Sequence, residues 1–340
     1  MRVMVTGGAG YIGSHAVREL LDRGHRVVVY DNLSTGFRTA VDDRAEFIFG
    51  NTNSFEGLNS AFRAHGIEAV LHFAANIEVG ESVLNPHKYY QNNLGNTLNL
   101  LMAMRDAQVN KIIFSSTAAV YGNPEKCPIV ESHPRLAINP YGRSKLMTEM
   151  VLEDFAAAYG LKYAVLRYFN VAGAHPEGDI GEAHDPETHL IPRVLKATLD
   201  PWAEVKIFGT DYPTSDGTCI RDYIHVMDLI DAHILALESL GSEKCEVYNL
   251  GNERGFSVKE IIKTCEAVTG RKLSVKEEAR RAGDPATLIA SSEKIRKYLG
   301  WKPQYTHLED IVKHAWQWHR THPQGYKTVE PLLQNDVIYL

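Results

Sequence analysis

Residues 6–13 read Thr6-Gly7-Gly8-Ala9-Gly10-Tyr11-Ile12-Gly13. The run follows Arg2–Thr6, a short apolar stretch that reads as a buried strand, and it opens Ile12–Arg23, an amphipathic stretch that reads as a helix. The early glycines, Gly7 and Gly10, permit a tight turn and let the backbone approach a pyrophosphate, whose charge a helix N-terminus favours. The last, Gly13, lets helix and strand pack closely. A glycine pattern alone is also met in ordinary strand-to-helix turns. Here an acid follows the second strand candidate, Arg26–Tyr30: Asp31 stands 18 residues beyond Gly13, a spacing that suits a carboxylate accepting hydrogen bonds from an adenosine ribose. A carboxylate there repels a 2′-phosphate, and the next five residues carry no arginine, Arg38 being the nearest cation. NAD is therefore expected in preference to NADP.

Outward from this turn, short β-branched runs alternate with amphipathic stretches. Strands are expected at Glu46–Phe49, Ala69–Phe73, Lys111–Ser115 and Tyr163–Arg167, and helices around Ser54–His65, Lys88–Ala107 and Pro140–Tyr159. Such alternation implies a parallel sheet covered on both faces, an α/β doubly wound Rossmann fold with ligands at the carboxyl ends of its strands. After Gly173 the pattern changes. Residues 175–189 are rich in Gly, Pro, Asp and Glu and read as loop. Beyond them come short strands at Lys206–Phe208 and Lys272–Lys276 and helices such as Ser257–Thr269 and Leu308–Arg320. The expected organisation is a dinucleotide-binding domain over 1–173 and a smaller mixed α/β region over 174–340, with part of 222–252 packing back on the first.

The 340 residues are 44% hydrophobic, with 36 basic against 42 acidic side chains and a net charge of −6. No block of like charge points to nucleic acid or a membrane. Cysteines at 127, 219, 245 and 265 are too scattered for a disulfide framework or a zinc motif, and free thiols fit a reducing cytosol. No apolar run approaches the ~20 residues of a membrane span, and the first strand candidate leaves no room for a signal peptide. A cytoplasmic location is expected.

Tyr141-Gly142-Arg143-Ser144-Lys145 places a tyrosine and a lysine four apart near a helix start, just after Pro140. They share one face, with a rise of roughly 6 Å between them. A free phenol, with a pKa of about 10, is a poor base at neutral pH. A lysine ammonium and an oxidised nicotinamide both favour phenolate, which would make Tyr141 a general base for an alcohol proton. The pair lies downstream of Phe114-Ser115-Ser116-Thr117, where a strand end carries hydroxyls. Tyr-x-x-x-Lys is common on surface helices; its company with the glycine turn and Asp31 gives it weight.

At this point the chain resembles the extended short-chain dehydrogenase/reductases over nearly its whole length, and among them the UDP-glucose 4-epimerase family. The stretches that carry the resemblance are Val5–His15, His72–Ser82, Tyr89–Asn93, Phe114–Gly122, Asn139–Met147, Leu166–Pro176, Ile207–Pro213 and Arg221–Asp228, above all Arg221-Asp222-Tyr223-Ile224-His225-Val226. The resemblance implies a tightly bound NAD and a transient 4-keto UDP-sugar, with Tyr141 taking the 4′-hydroxyl proton, Lys145 beside it, and Thr117 hydrogen-bonding the sugar oxygen. For the cofactor it implies Gly7, Gly10, Tyr11, Ile12, Gly13, Asp31, Asn32, Leu33, Ser34, Thr35, Gly36, Phe73, Ala74, Ala75, Asn92 and Phe169. Asn51 and Thr52 stand where many relatives have Asp-Ile, Ile77 where some have lysine, and His189 where asparagine is frequent. For the UDP-sugar it implies Arg221 and Arg281 on the diphosphate, Asp284 on a ribose hydroxyl, Lys206, Ile207 and Phe208 on the uracil, and contacts from Asn170, His189 and Leu190. Leu288 falls at a position that gates an N-acetyl group, and the leucine implies that N-acetylated sugars fit. A homodimer through the Lys88–Ala107 and Pro140–Tyr159 helices is the family habit.

Sugar-nucleotide dehydratases of the same family need acid–base carboxylates directly after the Thr117 position, and this chain has Ala118-Ala119. A cofactor-sensing protein on this fold typically loses the tyrosine or lysine, and both are present. His175, His184 and His189 match no compact ligand motif and read as solvated loop residues, so no metal is expected. Trp301, Trp316 and Trp318 read as packing residues.

Overall fold

The computed structural model describes residues 1–200, 202–241, 245–281 and 284–326. Thirteen strands are named in chain order: β1 Arg2–Thr6, β2 Arg26–Asp31, β3 Glu46–Phe49, β4 Ala69–His72, β5 Lys111–Thr117, β6 Lys162–Tyr168, β7 Asn170–Ala172, β8 Glu204–Phe208, β9 Ile220–His225, β10 Glu246–Leu250, β11 Gly255–Ser257, β12 Ser274–Glu278 and β13 Thr287–Leu288. Seven form one parallel sheet in the order β10-β6-β5-β4-β1-β2-β3. The order reverses between β1 and β4, and the crevice at that switch point is where open α/β sheets take their ligands.

The strands are apolar throughout because both faces are covered. In β1, Val3 and Val5 point into one core and Met4 into the other; in β2, Val27 and Val29 part from Val28 and Tyr30 in the same way. On the first face lie the helices Tyr11–Asp22 and Val226–Ser239, contributing Ala16, Val17, Leu20, Leu229 and Ile230. On the second lie Phe55–His65, Asn96–Asp106 and Pro140–Tyr159, contributing Leu58, Phe62, Leu100, Met104 and Leu152. The doubly wound α/β fold is thus the observed one.

One expected helix is not continuous. Between Lys88 and Ala107 the chain makes a short helix, Pro86–Tyr89, then a widened π turn over Tyr90–Gly95, and only then the helix Asn96–Asp106. The cause lies in Asn93. Its amide pairs with both backbone groups of Asn76, at 2.8 and 2.9 Å, and reaches Ser144 Oγ at 3.2 Å. Those bonds hold the backbone off the ordinary α path, and π turns of this kind cluster at functional sites.

Past residue 173 the chain builds a second core. Val194, Leu195, Ile261, Ile262, Ile311 and Val312 join the helices Leu190–Leu199, Val258–Thr269 and Leu308–Thr321. The two short strands expected here are β8 and β12, paired in parallel with each other. β9 carries β7, β11 and β13 as neighbours. The segment over 222–252 returns to the large sheet: Val226–Ser239 packs on Tyr11–Asp22, and β10 extends the edge beside β6. Trp301 and Trp318 are buried, their indole N–H groups donating to Asp228 O at 3.0 Å and Glu182 O at 2.9 Å.

Candidate active site

A cavity of about 650 Å³ runs along the carboxyl ends of the strands and separates the large sheet from the second region. At one end is the glycine turn. Gly7 has φ +74°, and a Cβ on it would stand 2.6 Å from Ala74 N; a Cβ on Gly13 would stand 2.0 Å from Gly7 O. No larger residue fits either place. The helix Tyr11–Asp22 starts at Gly10 without a side-chain cap, so its first-turn N–H groups face the cavity unclaimed, as an anion site requires. Asp31 is buried at the end of β2. Its carboxylate accepts from Ala9 N at 2.9 Å and from Leu33 N at 2.8 Å, which fixes the acid against the turn it serves. Burial raises its pKa, and the backbone N–H groups pull the other way. These are features into which a dinucleotide fits.

Of the residues implied for the cofactor, the cavity wall holds Gly7, Gly10, Tyr11, Ile12, Gly13, Asp31, Asn32, Ser34, Thr35, Gly36, Asn51, Thr52, Phe73, Ala74, Ala75, Asn92 and Phe169. Leu33 is not part of it, since its left-handed backbone (φ 56°) turns the chain there and its side chain packs on the sheet's first core.

Tyr141 is the second residue of its helix. Asn139 caps that helix, accepting from Gly142 N at 2.8 Å, and Pro140 starts it with the φ a first turn needs. The phenol lines the cavity beside Thr117, the last residue of β5. Burial lifts its pKa above the ordinary phenol value; the Thr117 hydroxyl lowers it and the Glu78 carboxylate adds a smaller upward push. Lys145, one turn on, behaves differently from the sequence expectation. Its ammonium donates to Ser115 O at 2.8 Å and lies 4.9 Å over the Phe114 ring, and burial pushes its pKa down to about 7, with Glu149 opposing. The Lys145 side chain turns to the β5 backbone and does not line the cavity. The four-residue spacing put both groups on one face, but the lysine's long stem runs back to the β5 carbonyl.

Behind this pair is a network that sequence reasoning missed. Arg167 and Glu149 form a two-pronged pair, with Nε–Oε1 3.0 Å and Nη2–Oε2 2.5 Å. Ser116 Oγ donates to Oε1 at 2.5 Å. Arg167 also donates to Tyr121 Oη at 2.8 Å, which donates to Asn249 Oδ1 at 2.6 Å. It joins β5, β6, β10 and the Tyr141 helix at one buried point. Arg167 directly follows the apolar run Tyr163–Leu166 of β6, and that was its only visible signal.

At the other end stand Asn170, His189, Arg221, Asp284 and Leu288. Arg221 donates to Ile220 O at 2.9 Å and Pro285 O at 2.8 Å, with Asp284 Oδ1 3.7 Å from its Nη2. Asp284 also stands 3.7 Å from Arg281, so one carboxylate lies between two guanidinium groups. Arg281 itself is exposed and lies over Phe208, 4.5 Å from the ring centre. Lys206, Ile207, Phe208, Leu190 and Arg281 are outside the wall. Ile207 is buried in the second core, so β8 can present only backbone there.

The loop histidines are not the freely solvated residues expected: the His184 and His189 side chains, 22% and 41% exposed, are held by carboxylates. His184 and His189 turn their Nδ1 atoms onto the buried Glu182 carboxylate, at 3.0 and 2.7 Å, and Glu187 stands 3.8 and 3.6 Å away. Against the cost of burial, the two acids raise His184 to about 9 and His189 to about 10. Glu182, His184 and His189 all line the cavity. The alternation Glu182-x-His184-x-x-Glu187-x-His189 was the available signal.

Comparison with known proteins agrees with this geometry. Residues 3–251 match the NAD dependent epimerase/dehydratase family. The chain is 53% identical to UDP-glucose 4-epimerase from Halalkalibacterium halodurans over 96% of its own length and 98% of the other's. The crystal structure of the Brucella ovis UDP-glucose 4-epimerase in complex with NAD superposes with a TM-score of 0.90, at 47% identity, covering 93% of this chain and 97% of that one. The UDP-Glc/GlcNAc 4-epimerase from Campylobacter jejuni does so with a TM-score of 0.83, at 44% identity, covering 94% and 99%. The glycine turn, the acid of β2 and the tyrosine beside Thr117 lie within a match that spans most of the chain, and the chain belongs to the NAD dependent epimerase/dehydratase family.

Proposed function

We propose that this chain is a UDP-glucose 4-epimerase, interconverting UDP-galactose and UDP-glucose through a transient 4-keto sugar, with NAD held between turnovers. The observation that carries the reading is that Tyr141 and Thr117 face the same cavity as the uncapped helix at Gly10. NAD supplies the acceptor and then the donor of hydride at C4′. The protein's part is to hold the sugar hydroxyl between the Tyr141 and Thr117 oxygens and to move one proton at the Tyr141 phenol in each direction. Burial holds that phenol above its ordinary pKa and the Thr117 hydroxyl lowers it; a positive nicotinamide ring beside it would favour phenolate further. Lys145 serves by position, holding the Tyr141 helix to β5 through its bond to Ser115 O.

Inversion requires the sugar to turn while the nucleotide stays put. Arg221 suits that anchoring: its two backbone bonds and the nearby Asp284 fix the guanidinium at the cavity wall, facing where a diphosphate would lie. We assign Arg281 to the rim, where its exposure lets it close over the diphosphate.

Leu288 lines the sugar end, and leucine leaves room that a larger side chain would fill. UDP-N-acetylglucosamine is therefore proposed as a second substrate. Leu288→Tyr is expected to abolish its turnover while leaving UDP-galactose turnover within a few-fold; equal loss on both sugars would remove the gate. The homodimer is proposed through Met147 and Met150 on the Tyr141 helix and Leu98 on its neighbour, which are 41%, 52% and 39% exposed, and light scattering reads it directly. A reducing cytosol is proposed from the four free cysteines; no helix of the described residues is long and apolar enough to cross a membrane.

The deciding experiment incubates the purified chain with UDP-galactose and no added NAD. UDP-glucose is the expected product. A 4-keto-6-deoxy product would make it a dehydratase, and an unchanged substrate with saturating NAD present would end the reading.

A further inference from the structure

We propose that Glu182, His184, Glu187 and His189 form a closed four-ligand site for a zinc-like divalent cation, which ties the loop before Leu190 to the lip of the cavity.

The four donors come from eight consecutive residues, and one ligand atom of each lies within 4.8 Å of all the others. Four of the six edges of the group are 2.7 Å (His189 Nδ1–Glu182 Oε1), 3.0 Å (His184 Nδ1–Glu182 Oε1), 3.6 Å (His189 Nδ1–Glu187 Oε1) and 3.8 Å (His184 Nδ1–Glu187 Oε1), and the His–His and Glu–Glu edges are within 4.8 Å. Zinc with bonds of about 2.0–2.1 Å to nitrogen and oxygen sets its tetrahedral ligands about 3.3–3.4 Å apart. The observed edges straddle that value.

The second observation is one of direction. Glu182 is 3% exposed, and its Oε1 has no hydrogen bond of acceptable geometry. The same holds for His184 Nδ1 and His189 Nδ1, although a carboxylate oxygen stands within 3.0 Å of each. Distance without direction is what results when lone pairs converge on a shared point rather than on one another. The surroundings hold the donors in place. Trp318 fixes the Glu182 backbone, and Glu187 Oε1 accepts from the N–H groups of Thr188 and His189, both at 3.0 Å. Lys196 stands 3.6 Å from Glu187 Oε2, which has no hydrogen bond of its own.

Two imidazoles and two carboxylates in a tetrahedral set suit zinc, whereas magnesium and calcium require more oxygen ligands. Two carboxylates neutralise the dication once both imidazoles are neutral. With all four positions filled by protein the site is structural, and its effect on the cavity is to fix His184, whose ring meets Tyr11 edge-on at 6.5 Å, and the start of the helix Leu190–Leu199.

The test strips the purified full chain with a chelator, restores ZnCl2, desalts it and measures metal by mass spectrometry, alongside thermal unfolding with and without zinc. The proposal expects stoichiometric zinc, a raised Tm with zinc but not with magnesium, and the visible bands of four-coordinate cobalt when CoCl2 replaces zinc. His184→Ala is expected to lower zinc affinity about 100-fold or more, while Glu177→Gln, at an exposed acid of the His175–Glu177–Asp179 group nearby, keeps it. Should His184→Ala fail to fold, the unaltered chain decides alone. Zinc lost on desalting with no shift in Tm, or six-coordinate cobalt, overturns the proposal.

Discussion

Two segments reach the same cavity by opposite routes. Along the helix Pro140–Tyr159, distance in sequence is distance in space: Tyr141, Lys145 and Glu149 follow at four-residue steps down one face, from the cavity through its floor to the buried Arg167. Along residues 175–189 there is no such rule. His184 and His189 meet only because an irregular path folds both rings onto Glu182. Local periodicity exposes the first arrangement to a reader of the sequence and hides the second. The comparison also separates two fates of one residue type. His184, between two carboxylates, is raised to about 9, and His233, buried beneath the sheet, is lowered to about 4.

The largest effect expected on the helix side is in catalysis. Tyr141→Phe keeps the ring and its packing and removes the phenol proposed to carry the proton, so kcat should fall by about 10³-fold, within the range for general acid–base groups, with the unfolding midpoint little changed. A variant with undiminished epimerisation would detach the helix from the chemistry altogether. Next comes the point at which that helix is bolted down. Arg167→Met takes from the buried Glu149 carboxylate its nearest cation and leaves it Ser116 Oγ and, at 3.4 Å, Arg135 Nη1, and the expected loss is about 3 kcal/mol in urea unfolding. If Arg167→Met together with Glu149→Leu recovers most of that loss, the cost was the stranded charge and not the shape of the site.

How much of this was legible follows from the same contrast. The doubly wound sheet was readable because strands covered on both faces are apolar at every position, as in Val3-Met4-Val5 and Val27-Val28-Val29. Gly7 and Gly13 were readable because the backbone around them leaves no room for a Cβ. The π turn at Tyr90–Gly95 was not, since its cause is a tertiary bond from Asn93 to Asn76 that no helical period encodes. The direction taken by Lys145 was hidden for a related reason. Spacing fixes the face from which a side chain departs, and a four-carbon stem then goes where its charge finds an acceptor, here Ser115 O. Which residues of 175–189 would converge depends on the whole path of the loop, so the acids between the histidines carried no weight in the sequence.

Buried neutral histidines give that contrast a pH signature. His233 Nδ1 meets Leu229 O at 2.8 Å and Nε2 meets Ser115 Oγ at 3.1 Å, with burial holding its pKa near 4 against an ordinary 6.5. As pH falls from 6.5 towards 4 the unfolded chain takes up this proton and the folded chain does not. Stability therefore falls across that window, by about 1.4 kcal/mol per pH unit from this one group, and the loss levels off below about 4. His233→Gln cannot take up the proton, so its unfolding free energy should fall less steeply than the parent's between pH 6.5 and 5. Equal slopes would mean that His233 is protonated in the folded protein and that the histidines of sheet and loop are not opposites.

The smallest effect tests whether the local order of the helix is sufficient. Asn139 accepts from Gly142 N at 2.8 Å and so closes the first turn, on which Tyr141 sits. Asn139→Ala should cost about 1 kcal/mol of stability, and Asn139→Asp should restore most of it, because the carboxylate accepts the same bond and favours the helix N-terminus. Activity is the sharper readout. Pro140 and the Arg167–Glu149 pair hold the helix from either side of Tyr141, so a frayed cap should lower kcat only a few-fold and leave KM nearly unchanged. A drop as deep as that of Tyr141→Phe, rescued by aspartate, would mean that one hydrogen bond aims the phenol. The helix would then depend on a single local contact as heavily as the 175–189 loop depends on Glu182.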